Sequence, residues 1–249
     1  MMPKDYSRRY YRTQYQTEDL TYFQVKFKET DLAIGISRDG YCDNLKKLVE
    51  KEVIKLRGDL ETYIAVHSEF RTSFSPVSAQ PGAPPIVREM IRAGTLAGVG
   101  PMAAVAGAIA QAVGRLLERH VREVIVENGG DIYLQSRAKR KVAVLAGESP
   151  FSHRIAVKVR AEECPVGVCT SSGTVGPSIS LGRADAAVVK AADAALADAV
   201  ATGAGNLIGD GESLMEAVEY ARGIEEVRGV LIISGKEMAA WGDIEIVPL

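Results

Sequence analysis

The sequence predicts an α+β fold, a two-layer sandwich of antiparallel sheet and helices, from three observations. Apolar and polar residues alternate over residues 22–28 and 32–36, and the polar turn between them is typical of a β-hairpin buried on one face. Apolar residues then recur every three or four positions from Leu45 to His67, behind Asp43 or Asn44 as a candidate helix cap. Strand-like and helix-like segments come in blocks without strict βαβ alternation. One strand face and one helix face must therefore cover each other.

A proline-rich loop and further helices follow this first helix. Residues 73–85 contain four prolines, which cannot continue a helix or an interior strand. The loop is a candidate sub-boundary within one domain that spans residues 1–249. A short helix is predicted from about Ile86 to Arg92. Residues 93–114 carry no charge over 22 positions, a length that could span a membrane, but they are mostly Ala and Gly. Because such residues favour close contact inside a protein, a buried helix is predicted.

The second half of the chain is predicted to continue with short strands and two more helices. The strands are expected where β-branched and other apolar residues form short runs, at residues 124–126, 132–134, 142–145, 155–159, 166–168, 187–189, 230–233 and 244–247. The helices are expected at residues 194–208, which are rich in Ala, and at residues 212–222.

The composition excludes several classes of protein. With 249 residues, 47% of them hydrophobic, and a formal net charge of −2, the chain is expected to fold and gives no electrostatic reason to bind nucleic acid. Three cysteines do not form a disulfide framework. The start of the chain lacks a secretory signal, so a cytoplasmic protein without a membrane partner is expected. A basic, Tyr-rich stretch at residues 6–15 has two readings, a nucleic-acid arm or an arm that packs on its own or a neighbouring subunit, and the second is favoured because nothing else in the chain is basic. The Ala- and Gly-rich helices, which bury little area each, are compatible with a homo-oligomer.

A first candidate site lies at residues 98–102, Gly-Val-Gly-Pro-Met. Gly98 and Gly100 would let the backbone approach a ligand, and Pro101 suits a first helical turn whose free N–H groups favour an anion. The segment is neither a Walker loop nor a dinucleotide fingerprint. Tight helix packing is the alternative reading of the same glycines.

Two further segments carry polar residues where strands or helices are interrupted. Asn128, Gly129, Gly130 and Asp131 lie between two predicted strands and form either a plain hairpin turn or a cradle for a polar ring edge or ribose. The other segment is residues 169–173, Cys-Thr-Ser-Ser-Gly.

Asp198 and Thr202 follow this segment on a predicted helix, where a spacing of four places them on one face. A carboxylate and a hydroxyl are hard oxygen ligands suited to Mg²⁺, although a solvated helix edge has the same composition.

The three segments together resemble the ordered motifs of the ApbE superfamily, whose best-known members are Mg²⁺-dependent flavin transferases that split FAD and attach FMN to a protein threonine. The motifs are Asn-Gly-Gly-Asp at 128–131, Thr-Ser-Ser-Gly at 170–173 and Ala-Asp-Ala-Val-Ala-Thr at 197–202. The likeness covers roughly residues 94–208 and is greatest to the small cytoplasmic branch of the superfamily. It implies the same α+β sandwich, related to the T-fold.

The resemblance also implies roles for individual residues. Asn128, Gly129, Gly130 and Asp131 would lie beside the flavin or its ribityl chain, and the cofactor-binding segment would continue through Thr170, Ser171, Ser172 and Gly173. Asp198 and Thr202 would hold Mg²⁺ against the pyrophosphate, with Asp198 also catalytic. Transferases carry a His-x-x-Asp-Pro-x-Thr-Gly stretch between the second and third motifs. Residues 174–185 of this chain contain no His and no Asp-Pro pair.

The function expected is therefore binding of a flavin (FAD or FMN) or another phosphorylated nucleotide with Mg²⁺, with cleavage of FAD or transfer of FMN as the reaction. One alternative is thiol chemistry at Cys169. Backbone N–H groups would activate the thiol, and His153 or His67 would act as the base. The resemblance adds to this alternative, because the branch is linked with sulfide assimilation and homocysteine formation. A buried, inert Cys169 is the plain reading of the same residue. The other alternative is a non-catalytic accessory protein that retains the fold.

Overall fold

The structure is a computed structural model that describes residue 12 and residues 16–173, 182–209 and 213–249. Most of the basic N-terminal stretch and residues 174–181 of the interval between the second and third motifs lie outside the described residues. Within the described part, strands and helices follow the predicted α+β order.

An antiparallel sheet of eight strands forms the centre of the fold. The strands are β1 (Leu20–Phe27), β2 (Thr30–Ser37), β3 (Val124–Asn128), β4 (Asp131–Gln135), β7 (Val166–Ser171), β8 (Ala186–Ala191), β9 (Val227–Ser234) and β10 (Glu237–Gly242). Their order across the sheet is β1-β2-β3-β4-β7-β8-β9-β10, so β3, β4 and β7 are neighbours. This order brings the Asn128–Asp131 turn next to the strand that carries Cys169 and Thr170.

A smaller sheet of three strands, β5 (Arg140–Ala143), β6 (Ile155–Val159) and β11 (Glu245–Pro248), packs on one face of the large sheet. Val157 and Val159 meet Val168 and Val188 in an apolar cluster between the two sheets. The predicted sandwich is confirmed, and this second sheet adds a partial third layer. The sequence pattern could not assign the strands to two sheets, because short runs of β-branched residues mark strands in both sheets and do not show which strands pair.

Six helices are described, mostly on the other face of the large sheet. They are α1 (Asp43–Val66), α2 (Glu69–Thr72), α3 (Pro85–Ala97), α4 (Val105–Leu117), α5 (Ala194–Asn206) and α6 (Leu214–Arg222). The buried stripe of α1 contains the predicted residues Leu45, Val49, Val53 and Leu56. The predicted cap is wrong: α1 begins at Asp43 after Cys42, and neither Asp43 nor Asn44 occupies the cap position.

The uncharged segment is broken into two helices rather than forming one. Gly98 adopts a left-handed conformation (φ 68°) at the end of α3, a geometry that glycine reaches without steric strain. Pro101 to Ala104 form a 3-10 turn before α4. No single helix among the described residues has the length and apolar character needed to cross a membrane, although α3 and residues 101–117, bent by 106°, meet those criteria together.

Most other predicted elements are present where the sequence places them, including the first hairpin and the proline-rich loop. Two described elements were missed. The helix α2 has one turn, and β10 is an edge strand of mixed, half-exposed residues that shows no clear alternation. Both are short or weakly patterned, so periodicity gives little signal for them.

Candidate functional site

The Asn128–Asp131 segment is a two-residue hairpin turn between β3 and β4. Asn128 pairs with Asp131, and both central residues have positive φ angles, 74° at Gly129 and 120° at Gly130. Such angles strain residues with a Cβ atom, which explains why two glycines occupy the turn. The turn leaves Gly129 exposed while Asn128 and Asp131 are more than nine-tenths buried.

The turn lies directly beside the Cys169–Gly173 segment. Strand β4 pairs with β7, with Ile132 opposite Val168. A Cβ atom placed on Gly130 would be 3.4 Å from the carbonyl oxygen of Thr170. The first and second segments predicted from the sequence are therefore in contact.

The amino end of α4 joins the turn to α5. The Nδ2 atom of Asn128 donates a hydrogen bond to the carbonyl oxygen of Ala106, at 3.1 Å. The amide of Gly107 donates to Oδ2 of Asp198 on α5, at 2.8 Å. The first-turn amides of a helix lack partners within the helix, so a carboxylate is a favourable group there. This carboxylate belongs to the chain itself.

Asp198 lies in a carboxylate pair with Asp131. Burial raises the pKa of Asp198 well above its ordinary value, and the nearby charge of Asp131 raises that pKa further. Hydrogen bonds from the amides of Gly107 and Ala106 act in the opposite direction. Two buried carboxylates from different segments thus interact at one place, where a bound cation would relieve their repulsion.

Cys169 lies at the same place but does not have the properties of a reactive thiol. It is fully buried, and its Sγ donates to the carbonyl oxygen of Ala194 at 3.3 Å. Burial and the charges of Asp131 and Asp198 raise the pKa of this thiol well above its ordinary value. Since the thiolate is the nucleophilic form, the structure does not support the catalytic role predicted for Cys169 and agrees with the inert reading.

The hydroxyl groups of the second segment and of α5 differ in their exposure. Ser171 and Ser172 are buried, whereas Thr170 and Thr202 are half-exposed. The Oγ atom of Ser171 would lie 3.5 Å from a Cβ atom on Gly205, so this part of the segment packs on the end of α5.

Gly173 continues the segment and donates its amide to the carbonyl oxygen of Ala184 at 2.9 Å. Thr202 stands one helical turn after Asp198 on α5.

Gly98 and Gly100 have local roles in the bend between α3 and α4. Gly98 ends α3 with nothing within 4 Å of a Cβ position. The amide of Gly100 donates to the carbonyl oxygen of Phe74 at 2.9 Å, and a Cβ atom there would be 1.9 Å from the carbonyl oxygen of Ser73. The bend accounts for both glycines, and the cofactor-binding role predicted for them stays a prediction.

Two contributions to the site were missed by the sequence analysis. The first contribution is the amides of Ala106 and Gly107. They are backbone groups, so the residue types in the sequence do not indicate them. Glu127, the residue before the predicted turn, is the second contribution: its Oε1 accepts the amide of Gly129 at 2.7 Å and its carboxylate pairs with Arg12. The basic character of residues 6–15 was the only signal that Arg12 could contact this turn.

A separate groove lies elsewhere on the molecule. It has a volume of about 610 Å³ and lies between the ends of α5 and β9, the start of α6 and β10; its lining residues are Ile208, Gly209, Ser213, Leu214, Met215, Ser234, Glu237, Met238 and Ala239. None of the predicted site residues lines this groove.

Comparisons with known proteins agree with the fold. Residues 12–221 match a family model described as AbpE bacteria. A UPF0280 protein from Methanococcus aeolicus is 38% identical over 226 residues, which cover 89% of this chain and 90% of that protein. A UPF0280 protein from Methanosarcina acetivorans is 41% identical over 197 residues, which cover 78% of each chain.

Solved structures show the same fold at low sequence identity. The apo form of the flavinyl transferase ApbE from Pseudomonas stutzeri superposes with a TM-score of 0.59 at 15% identity, covering 90% of this chain and 94% of that one. The ApbE protein from Thermotoga maritima gives a TM-score of 0.58 at 11% identity, covering 88% of this chain and 96% of that one.

Proposed function

Since this chain belongs to the family described as AbpE bacteria, within the ApbE-like superfamily, we propose that it binds a flavin or another phosphorylated nucleotide together with Mg²⁺. The site proposed is the place where the Asn128–Asp131 turn, the end of β7 and the helices α4 and α5 meet. One observation carries the proposal: the amino end of α4 is hydrogen-bonded both to Asn128 of the turn, at 3.1 Å, and to Asp198 of α5, at 2.8 Å. This contact brings the buried carboxylates of Asp131 and Asp198, from separate segments, near each other.

The residues present fit a magnesium ion. Mg²⁺ is commonly held by one or two carboxylates, with the remaining positions filled by water and substrate phosphates. Asp131 and Asp198 supply two carboxylates, and Thr202 supplies a hydroxyl on the next turn of α5. Among the described residues no group of three His, Cys, Asp or Glu side chains is placed to hold a metal ion, so water and ligand oxygens would have to complete the coordination. When bound, Mg²⁺ would neutralise charge on the phosphates.

The chain's own groups would orient the ligand around this metal position. The exposed turn at Gly129 and Gly130 offers backbone where a Cβ atom would obstruct a ring or ribose. Thr170 offers a half-exposed hydroxyl next to the turn. Asp198 is already held by the amides of Ala106 and Gly107, so its carboxylate needs little reorganisation when a cation arrives.

Isothermal titration calorimetry with FAD, FMN and ADP, each in the presence of MgCl₂ and of EDTA, tests the proposal. We expect at least one of the three to bind in a Mg²⁺-dependent manner, and Asp198→Asn to weaken that binding at least about tenfold. Asp39→Asn, at an exposed position in a short turn before α1, is the matched control and should bind normally. The absence of binding by all three nucleotides would refute the proposal.

Product analysis separates an enzyme from a non-catalytic binder. Cleavage of the FAD pyrophosphate by water yields FMN and AMP, and transfer of FMN to a protein hydroxyl also releases AMP. Release of AMP by the wild-type protein, lost in Asp198→Asn, would establish the catalytic reading. Binding without AMP would favour the accessory reading, which the missing His and Asp-Pro pair between residues 174 and 185 supports.

A further inference from the structure

We infer that Arg12, from the basic amino-terminal stretch, is a positioning residue for the ligand site, and that it acts through Glu127 on the Asn128–Asp131 turn. The inference rests on the proposed function for its consequence in binding. Its structural part, the effect of Arg12 on the turn, can be measured without any ligand.

The guanidinium group of Arg12 is enclosed by two carboxylates. Its Nε atom lies 2.5 Å from Oε2 of Glu127, and its Nη2 atom lies 3.2 Å from Oε1 of the same carboxylate. Its Nη1 atom donates to Oδ1 of Asp31 at 2.8 Å, and its Nη2 atom donates to the carbonyl oxygen of Asp31 at the same distance. The side chains of Arg12 and Glu127 are only 11% and 12% exposed. Charged hydrogen bonds in such a partly desolvated place are stronger and more directional than those at a surface.

Glu127 links Arg12 to the turn through a second hydrogen bond. The same Oε1 atom that accepts from Arg12 also accepts the amide of Gly129, at 2.7 Å. Gly129 is the first residue of the turn with positive φ, and a glycine pair has many other accessible conformations. The carboxylate, held from the other side by Arg12, therefore selects one turn conformation.

The conformation of the turn decides where the ligand-site groups lie. Asn128 precedes the two glycines and donates a hydrogen bond to Ala106 on α4, and Asp131 follows them and lies near Asp198. A change at Gly129 would move both side chains. Residues outside the metal position commonly alter metal affinity by about 10- to 100-fold when they orient the groups that bind it.

Arg140, the first residue of β5, is a matched control at the other end of β3. Its side chain is 7% exposed and pairs with Asp19 and Glu123, just as Arg12 pairs with Asp31 and Glu127. Glu123 precedes β3 and Glu127 is near its end, so the two arginines hold opposite ends of one strand. Loss of either arginine removes a comparable buried ion pair, but only Arg12 is next to the turn.

Hydrogen–deuterium exchange of the turn amides tests the inference, with Arg12→Ala, Arg12→Lys and Arg140→Ala compared with the wild-type protein. We expect Arg12→Ala to speed exchange at residues 128–131 by at least about tenfold, a loss of local protection. Arg12→Lys should partly restore protection, since an ammonium group can satisfy one carboxylate contact but not the forked pair. Arg140→Ala should speed exchange at the other end of β3 and leave the turn unchanged.

Calorimetry on the same variants tests the consequence for binding. With the nucleotide that binds best to the wild-type protein in MgCl₂, we expect about tenfold weaker binding for Arg12→Ala and unchanged binding for Arg140→Ala. Unchanged turn exchange in Arg12→Ala, or an equal rise in both alanine variants, would overturn the inference. If Arg12→Ala does not fold, Arg12→Lys and Glu127→Gln carry the same test. If the wild-type protein binds no nucleotide, the proposed function fails while the exchange result still decides the role of Arg12.

Discussion

At the level of single residues, two opposing effects act on the pKa of Asp198. The amides of Ala106 and Gly107 favour its charged form, whereas burial and the charge of Asp131 disfavour it, and the disfavouring effects dominate. A raised pKa for a buried acid next to a second acid is common in sites that bind cations or move protons. Burial, followed by the charges of Asp131 and Asp198, also raises the pKa of the Cys169 thiol.

The pH dependence of stability follows from the raised pKa of Asp198. Between the ordinary pKa of 3.8 and the higher folded-state pKa, the folded protein binds more protons than the unfolded one. The free energy of unfolding therefore falls as pH rises through this window. Without Mg²⁺, Asp198→Asn should lack this decline and should therefore have a higher Tm than the wild-type protein at neutral pH. Each kcal/mol of difference in the free energy of unfolding should correspond to about 2–4 °C in Tm.

Thermal melting from pH 4 upwards, with and without Mg²⁺, measures this effect. Mg²⁺ should raise the Tm of the wild-type protein at neutral pH but not that of Asp198→Asn, because a ligand stabilises the state that binds it. Parallel melting curves for the two proteins at every pH would show that Asp198 does not carry the predicted shift.

Cys169 should be unreactive in the folded protein. Treatment with iodoacetamide at pH 7 is expected to modify the exposed Cys42 and to leave Cys169 untouched, since a fully buried neutral thiol reacts only through opening of the fold. In urea all three cysteines should react. Peptide mass spectrometry reads each site, and modification of Cys169 as fast as that of Cys42 would restore the thiol hypothesis.

Among the helices and strands, the close contact between α4 and α5 positions the groups of the site. A Cβ atom on Gly107 would lie 2.1 Å from the carbonyl oxygen of Ala194 and 2.8 Å from Cβ of Asp198. The helices can therefore approach closely only because residue 107 is glycine. This approach is what lets the amide of Gly107 reach the Asp198 carboxylate.

Gly107→Ala tests this contact, with Gly58→Ala as its control. Gly58 is exposed on α1 with nothing within 4 Å of a Cβ position. We expect Gly107→Ala to lower the free energy of unfolding by about 1–3 kcal/mol, because the added methyl group forces the helices apart. Gly58→Ala should raise it by up to about 1 kcal/mol through helix propensity. Urea denaturation measures both, and a tolerated Gly107→Ala would contradict the close packing.

Across the whole molecule, the sequence predicts strands and helices better than it predicts the site. Alternation in residues 22–28 and 32–36 and the apolar stripe of the first long helix are local patterns, and the structure confirms both. The exact position of the break at Gly98 was missed: Pro101 was placed in a first helical turn, but the uncharged Ala and Gly residues on either side have no polar pattern that marks where the preceding helix ends.

The site is harder to predict because it joins distant residues. Asn128, Asp131, Asp198 and Thr202 were found as motifs, but the contact of Asp198 with backbone amides of α4 depends on packing. The pairing of Arg12 with Glu127 spans 115 positions and leaves no local pattern. Cys169 was given a catalytic role because sequence alone does not show its burial.

The central claim is that the turn, the end of β7 and the starts of α4 and α5 form one cation-dependent ligand site. The most direct measurement replaces Mg²⁺ with paramagnetic Mn²⁺ and records which backbone amide NMR signals broaden. We expect selective broadening at Ala106, Gly107, Asp131 and residues 170–171, and its loss in Asp198→Asn. Broadening centred on another part of the protein, or no selective broadening at all, would contradict it.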